Sequence, residues 1–218
     1  MPSVILEPES IPITVNNIFC IGRNFAKHIS ELGNSGGETP VVFLKPTSAL
    51  AREGTAIRLP HFSQNVHHEV EIVILIGKDG SGIPREQALD HVLGYGIGLD
   101  LTARDTQDEL KKKGLPWMIS KGFDTSACVS SFLKASEIPD TAGMSFSLDV
   151  NGVTRQSGNS GMMLFPLPDL VAYLSSVATL HFGDIIFTGT PEGVAQIHSG
   201  DVLTLNLMDR LHARFTVS

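Results

Sequence analysis

Cysteine is scarce in this sequence: Cys20 and Cys128 are the only two among 218 residues, and they form no CxxC pair. That scarcity excludes a disulfide-rich scaffold, although one disulfide between the two cysteines stays open. Low cysteine usage is typical of proteins in a reducing compartment. We therefore expect the protein to be located in the cytoplasm.

Long apolar runs and a basic surplus are also missing. The apolar runs fall far short of the roughly 20 residues that cross a bilayer, and residues 1–15 carry glutamates and prolines where a signal peptide needs basic residues and an apolar segment. The formal net charge is −7, and the densest basic run, 111–113, is typical of a solvated helix end. We therefore expect no membrane partner and no nucleic-acid partner.

Near the N-terminus, NFAKHISEL (24–32) predicts a short helix that Asn24 caps and Gly33 stops. His28 and Glu31 are three residues apart and share one face of that helix. The following GNSGGETP (33–40) has the composition of a mobile surface loop. This composition suits a lid that moves on a hinge.

Strand-like segments outnumber helical ones and do not alternate regularly with them, which favours a β-rich mixed α+β fold with a few peripheral helices. Asn151-Gly152, between alternating residues, predicts a β-hairpin. We predict one domain over 1–218, with 1–40 as its N-terminal segment. The other predicted strands are 40–46, 67–77, 94–100, 184–188 and 202–207. The other predicted helices are 84–92, the segment after Asp100, and 167–178. Thr102 and Asp105 resemble a capping box for the helix after Asp100.

The strand HHEVEIVILIG (67–77) carries two carboxylates one residue apart. Residues two apart in a strand point to the same face, so Glu69 and Glu71 project together. An exposed edge strand would explain the pair without any function. However, Val73 and Leu75 continue the same face with apolar side chains, which indicates burial. Two buried carboxylates need a proton or a cation between them.

Asp100 ends the glycine-rich strand and is a third candidate ligand, although it could also cap the next helix. Three oxygen ligands suit Mg²⁺ or Mn²⁺. Of the adjacent histidines, at most His67 shares the face of Glu69, and a structural role stays open for His67 and His68. On the helix after Asp100, helical spacing predicts a polar face that contains Arg104, Gln107 and either Asp108 or Lys111. This face could point toward the metal or toward solvent. For Lys111 we expect a solvated position.

Several motifs together resemble the fumarylacetoacetate hydrolase superfamily, in its short acylpyruvase and oxaloacetate decarboxylase branch. The resemblance follows the family order across nearly the whole chain. The matching segments are IGRNFAKH (21–28), VVFLKPTSAL (41–50), HHEVEIVILIG (67–77), GYGIGLDLTARDTQDELKKKGLPW (94–117), SKGFDTSACVS (120–130) and FTGTPEGV (187–194).

That resemblance implies the family's β-roll as a homodimer, with one Mg²⁺ or Mn²⁺ and a small 2-oxo acid substrate. It implies that Glu69, Glu71 and Asp100 bind the metal. It further implies that Lys121 contacts the substrate carboxylate or oxyanion region and that a dyad on the lid activates water. The implied dyad is His28 and Glu31, and the implied substrate-pocket residues are Arg23, Lys45, Arg104, Gln107 and Thr190.

We therefore expect hydrolysis of a C–C bond in acylpyruvates, which are 2,4-dioxo acids, to pyruvate and a carboxylic acid. The same enolate chemistry leaves oxaloacetate decarboxylation and 2-oxo acid isomerisation as alternatives. A cupin-like iron dioxygenase would need H-x-H spacing, which His67 and His68 lack. A β-rich binding protein with a structural ion is the alternative outside enzymes.

Overall fold

A computed structural model describes residues 2–31 and 37–218. Strands dominate these ranges, which confirms the β-rich prediction. The strands are β1 (Ser3–Leu6), β2 (Ile11–Thr14), β3 (Ile18–Gly22), β4 (Val41–Lys45), β5 (Leu50–Arg52), β6 (Val66–His68), β7 (Val70–Ile76), β8 (Val92–Asp100), β9 (Thr102–Ala103), β10 (Ala127–Val129), β11 (Leu133–Lys134), β12 (Ser145–Val150), β13 (Val153–Asn159), β14 (Ile185–Phe187), β15 (Ala195–Gln196), β16 (Val202–Leu207) and β17 (Leu211–Thr216).

Helices are short and lie outside the sheets. The α-helices are α1 (Ala26–Glu31), α2 (Arg104–Lys112), α3 (Met118–Lys121) and α4 (Leu167–Val177), and the 3₁₀ helices are Thr47–Ala49, Arg85–His91, Ala135–Glu137 and Ser160–Met162. The predicted helix at 84–92 is therefore a 3₁₀ helix. None of the helices in the described ranges is long and apolar enough to cross a membrane.

The largest sheet has the strand order β4-β3-β14-β7-β8-β10-β5, with β11 also paired to β8. Every residue of its central strand β7 is buried, because both faces of the sheet are covered. Ile72 and Ile74 pack into the main hydrophobic cluster, whereas Val73 and Leu75 pack into a second one on the opposite face. The exposed edge strand that could have explained Glu69 and Glu71 is therefore excluded.

A second sheet, ordered β13-β12-β16-β17, covers one face of the first. Its apolar residues Phe146, Leu148 and Leu205 belong to the same cluster as Ile72. The predicted hairpin is confirmed: β12 and β13 pair antiparallel, and Asn151 and Gly152 both have the positive φ that this two-residue turn requires. Small sheets of β15-β6-β9 and β1-β2 complete the arrangement.

The N-terminal helix differs from the prediction at its start. Asn24 is fully buried and caps no helix: its side chain donates to Thr188 O (2.8 Å) and Phe165 O (3.0 Å) and accepts from Phe165 N (2.7 Å). Asn24 thus joins the N-terminal segment to two distant loops. The predicted helix end at Leu32, the stop at Gly33 and the first part of the predicted loop lie outside the described residues.

The predicted capping box at α2 is wrong. Thr102 Oγ1 donates to Asp100 O (3.2 Å). The N-cap residue is Ala103, which has no side chain that could accept from the first turn of the helix. The Asp105 carboxylate instead accepts from Ser63 Oγ (2.6 Å) and Gln64 N (2.9 Å). Contacts with a distant loop therefore replace the local ones that the spacing suggested.

Candidate active site

Glu69, Glu71 and Asp100 converge at one end of the central strands. Each offers a carboxylate oxygen within 4.8 Å of the others, and all three residues are buried. The sheet produces this arrangement, because β7 and β8 run antiparallel and Asp100 N donates to Glu69 O at 2.9 Å. Gly98 pairs with Glu71 across the strands, and a Cβ there would meet Cys128 O at 2.4 Å, so glycine allows the close packing of β8 beside Glu71.

Three cations, Lys121, Arg104 and Lys45, balance the formal charge of the three carboxylates, but none of them pairs with Glu71. Lys121 Nζ lies 2.7 Å from Glu69 Oε2 and 2.6 Å from Asp100 Oδ2. The Arg104 guanidinium pairs with Glu69 on its other side. Although burial raises the pKa of Glu69, Lys121 and Arg104 together hold it well below the usual range. Glu69 is therefore ionised.

Lys45 lies under the carboxylates rather than in the cavity wall. Its ammonium is 2.8 Å from Asp100 Oδ1 and also donates to Leu101 O (3.1 Å) and to Lys121 O. The resemblance implied that Lys45 contacts the substrate, but its position favours contacts with Asp100 and with the backbone instead. Lys45 instead fixes Asp100 and the end of α3.

Glu71 is the least compensated of the three carboxylates. Its side chain accepts a hydrogen bond from Gly189 N (2.7 Å), and no described cation forms an ion pair with it. Burial, followed by the charges of Asp100 and Glu69, raises the pKa of Glu71 well above its usual range. Positive charge is therefore missing on this side of the cluster.

The cluster fits a divalent cation. Asp100 Oδ1 is buried and accepts no hydrogen bond from the described residues, despite its ion pair with Lys45. Asp100 Oδ1 meets the Lys45 ammonium, but Glu71 beside it has only the Gly189 N–H, and a metal ion between these carboxylates would supply the positive charge that Glu71 lacks. Ligands that are all carboxylate oxygens suit a hard cation such as Mg²⁺ or Mn²⁺.

His28 lines the same cavity as the carboxylates and is itself buried. Its Nδ1 lies 3.2 Å from Glu31 Oε2, and the other oxygen of Glu31 accepts from Gly193 N at 3.0 Å. An ionised carboxylate can only accept, so Nδ1 is the donor of this contact, and the tautomer that it selects has its lone pair on Nε2. The structure thus brings His28 and Glu31, the predicted dyad, into contact beside the carboxylates.

The rest of the cavity wall contains most of the predicted substrate residues and one that was missed. Lys111, which we expected on the solvated surface, is half-buried and lines the cavity. The side chains that line it besides the carboxylates and His28 are Ile21, Arg23, Phe43, Arg104, Gln107, Lys111, Trp117, Lys121 and Thr190.

Gln156 holds Thr190 from behind through a buried network. Gln156 Oε1 accepts from Val70 N (3.0 Å) and His68 Nδ1 (2.8 Å), while Nε2 donates to Pro191 O (2.9 Å) and Thr190 Oγ1 (2.8 Å). Because backbone N–H only donates and a carbonyl only accepts, the amide orientation is fixed. Thr190 therefore accepts from Gln156, and its own proton is left for another partner.

The two histidines of the opening motif have different surroundings. His68 is buried and, as Nδ1 donor, is part of the Gln156 network. His67 Nε2 lies 2.9 Å from Asn65 Oδ1, and burial followed by the charge of Arg104 lowers the pKa of His67 to about 4. Neither histidine lines the cavity, so a histidine-based metal centre is not favoured.

Comparisons with known proteins agree with this geometry. The chain matches the fumarylacetoacetate (FAA) hydrolase C-terminal family over residues 17–217. It is 44% identical over 201 residues to oxaloacetate tautomerase FAHD1, mitochondrial, of Mus musculus, covering 92% of this chain and 91% of the relative. The corresponding protein of Arabidopsis thaliana is 42% identical over 200 residues, covering 92% and 90%.

Solved structures show the same fold. Fumarylpyruvate hydrolase from Pseudomonas aeruginosa, in complex with Mn²⁺ and pyruvate, superimposes with a TM-score of 0.94 at 35% identity, covering 99% of this chain and 94% of that one. The 5-carboxymethyl-2-hydroxymuconate delta-isomerase from Mycobacterium smegmatis gives 0.83 at 35% identity, covering 94% and 80%. The family's β-roll, which the resemblance implied, is confirmed.

Replacing Glu71 by glutamine tests the candidate metal centre. Glu71→Gln keeps an acceptor for Gly189 N but removes a charged ligand. We therefore expect Mn²⁺ affinity to fall by about 100-fold or more, since replacing a residue that only supports a ligand already costs about 10- to 100-fold. The metal-free variant should unfold at higher urea than the wild type, because repulsion from Asp100 and Glu69 is removed.

Calorimetric Mn²⁺ titration and urea unfolding in the presence of a chelator measure both effects. The control is Glu109→Gln on the exposed side of α2, which should change neither. An unchanged Mn²⁺ affinity in Glu71→Gln would exclude Glu71 as a ligand.

Proposed function

The chain belongs to the fumarylacetoacetate hydrolase family, and from that premise we propose a divalent-metal-dependent enzyme that acts on small 2-oxo acids. The observation that carries this proposal is the shared cavity of His28 and the three buried carboxylates. A base oriented by Glu31 and facing a cation-binding cluster is the combination that proton transfer beside a carbonyl group requires. A binding protein with a structural ion would need no such base.

Glu69, Glu71 and Asp100 would hold Mg²⁺ or Mn²⁺, and the presence of Mn²⁺ in the related fumarylpyruvate hydrolase supports this choice. The chemistry that such a cation supplies when bound is Lewis-acid polarisation of a keto oxygen. Lys121 adds a fixed positive charge beside the cluster, at 2.6 Å from Asp100. That charge stabilises the negative charge of an enolate as it develops.

His28 is the proposed base. Its Nε2 removes a proton from C3 of the 2-oxo acid, and the electron pair of the C–H bond moves into a C2–C3 double bond. For tautomerisation, the proton then returns to the oxygen on C2, so the keto form becomes the enol without any other reactant. Glu31 stabilises the imidazolium that forms in between, and Gly193 N keeps Glu31 in place.

Oxaloacetate tautomerisation is the first candidate reaction, and it is of the isomerase type that the sequence left open. Its support is the set of relatives named oxaloacetate tautomerase, which are 41–44% identical across about nine tenths of the chain. Hydrolysis of acylpyruvates is the second candidate. In that reaction His28 would deprotonate a water, and the fumarylpyruvate hydrolase with the same fold favours it.

Thr190 is proposed to donate a hydrogen bond to a substrate oxygen. Its hydroxyl already accepts from Gln156 Nε2, and the residue lines the cavity, so the free proton has the substrate as its partner. Gln156 does not line the cavity in the described residues. It acts through Thr190 as a positioning residue.

We also propose that residues 1–218 form one catalytic domain, in which 1–40 supplies α1 and its base. The cytoplasm stays our prediction for the compartment, since Cys20 and Cys128 are free and buried as a reducing environment allows. The tautomerase relatives are named as mitochondrial. Fractionation of the source cells would separate the two locations.

Replacing His28 by alanine tests the base. We expect oxaloacetate tautomerisation above the spontaneous rate to fall by about 10²–10⁴-fold, while Mn²⁺ binding persists, because the metal ligands are unchanged. Decarboxylation of oxaloacetate needs no such base, so a decarboxylase would keep its activity. Tautomerisation, acylpyruvate hydrolysis and decarboxylation should be followed side by side.

The matched control is His212→Ala, which removes an exposed histidine on β17. It should leave all three rates unchanged. Unaltered tautomerisation and hydrolysis in His28→Ala would show that His28 is not the base.

Gln156→Glu tests the orientation of Thr190. Glutamate cannot donate, so the Thr190 hydroxyl would turn and donate to it, and the substrate would lose a hydrogen bond. We expect kcat/KM to fall about tenfold, mainly through KM. Because both changes remove the same contact, Gln156→Glu should have little further effect in a Thr190→Val background.

Steady-state kinetics on both single variants and the double variant measure this coupling. Gln196→Glu, at an exposed glutamine, serves as the control. Additive losses in the double variant would contradict an action through Thr190.

A homodimer, which the resemblance implied, is part of the proposal. Edge strand β4 exposes Val42 and Leu44 beside exposed Met118 and Ile119 of α3, and an unpaired edge with apolar side chains favours association. Light scattering should give twice the mass of one chain. Leu44→Glu should shift it to one chain, whereas the control Val177→Glu, on exposed α4 surface, should not.

A further inference from the structure

One wall of the cavity is aromatic, with an ammonium group at each end. Phe43 and Trp117 pack edge to face, with ring centroids 5.8 Å apart. Lys121 Nζ lies 5.0 Å from the Phe43 centroid, and Lys111 Nζ lies 5.6 Å from the Trp117 centroid. The wall therefore begins at the carboxylate cluster, where Lys121 is bound, and ends at a second cation.

Helix α2 places that second cation away from the cluster. Arg104, Gln107 and Lys111 are spaced three and four residues apart, so they share the helix face that lines the cavity. At a rise of 1.5 Å per residue, the backbone of Lys111 lies about 10 Å along the axis from that of Arg104. Arg104 contacts Glu69, so the backbone of Lys111 lies farther along the cavity wall from the cluster than that of Arg104.

The two cations nearer the cluster are already engaged, whereas Lys111 is not. Lys121 pairs with Glu69 and Asp100, and Arg104 pairs with Glu69. Within residues 2–31 and 37–218, the Lys111 ammonium makes no hydrogen bond or ion pair. Burial, followed by the charge of Arg104, lowers the pKa of Lys111. The charges of Asp108 and Glu69 favour the Lys111 ammonium but do not outweigh burial and Arg104, so an anion that joins it would stabilise it further.

The neighbouring lysines show that this position is specific. Lys112 and Lys113 follow Lys111 in the sequence but are exposed, and Lys113 lies 3.7 Å from Glu109 on the outer surface. Of the run that the sequence presents as one basic stretch, Lys111 lines the cavity and the next two do not.

We propose that Lys111 binds the distal carboxylate of a 2-oxo dicarboxylate, whose carbon chain lies against Phe43 and Trp117. The inference rests on the proposed function, because it assumes that the 2-oxo acid end occupies the carboxylate cluster. It makes Lys111 a specificity residue that favours diacids over 2-oxo acids with one carboxylate. Oxaloacetate and fumarylpyruvate have the second carboxylate, and acetylpyruvate does not.

The test compares unreactive ligands that differ only in the distal carboxylate. Calorimetry on the Mn²⁺-loaded protein would measure 2-oxopentanedioate against 2-oxopentanoate, and 2-oxohexanedioate against 2-oxohexanoate. One charge-assisted contact corresponds to about 10- to 100-fold in affinity, so we expect the wild type to prefer at least one diacid by that factor. Lys111→Met should abolish the preference and leave the affinity for the monoacids within about twofold.

Lys112→Met is the matched control, since it removes the adjacent exposed lysine, and it should keep the preference. Equal losses for diacid and monoacid in Lys111→Met, or no preference in the wild type, would overturn the proposal. Absence of binding for all four ligands would overturn it as well. A Lys111-dependent preference in a protein that turns over no 2-oxo acid would uphold the subsite and reject the proposed function.

Discussion

Three carboxylates share a buried space at the end of β7 and β8, and the rest of the site depends on how their repulsion is compensated. Burying like charges together is costly, and the cost falls only when positive charge is brought against them. Lys45 comes from β4, Lys121 from α3 and Arg104 from α2. The ion pairs thus tie three peripheral elements to the centre of the sheet.

The charge balance also explains why the cavity suits an anionic substrate. The three carboxylates and the three cations that contact them cancel, so a bound divalent ion would leave the cluster with two positive charges. Arg23 and Lys111 also line the cavity and add positive charge to its wall. A 2-oxo acid presents its carboxylate and keto oxygen to this surplus, and a diacid presents a second carboxylate to the distal part of it.

Strand periodicity predicted that Glu69 and Glu71, two residues apart, project together, and it marked Asp100 as a candidate third ligand, whereas the resemblance to the family joined the three into one metal set. Lys45 and Gln156 could not be found in that way. Lys45 meets Asp100 and Gln156 meets Thr190 only after distant strands pair, and neither contact has a local spacing. The capping box at Thr102 failed for the same reason, since Asp105 bonds to the loop at Ser63. Lys111 was predicted to be solvated because it belongs to the run of three lysines at the end of the helix. Only the orientation of α2 in the fold shows that Lys111 lines the cavity while Lys112 and Lys113 are exposed.

The described part of the helix that carries His28 has six residues, and helices this short are marginal by themselves, so tertiary contacts must hold His28 in place. Two of these contacts come from the loop 188–193. Glu31 accepts from Gly193 N, and Lys27 pairs with Glu192 at 3.2 Å.

The same loop also reaches the other parts of the site. Its Thr188 carbonyl accepts from Asn24, its Gly189 N–H donates to Glu71, and its Thr190 hydroxyl accepts from Gln156. The proposed base, the proposed metal ligand Glu71 and the proposed substrate contact Thr190 are therefore positioned by one short backbone segment. Gly193 and Gly189 adopt positive φ there, and a Cβ on Gly193 would meet Arg155 O at 2.3 Å. The backbone path that brings these three functions together is thus one that glycine allows and other residues would strain.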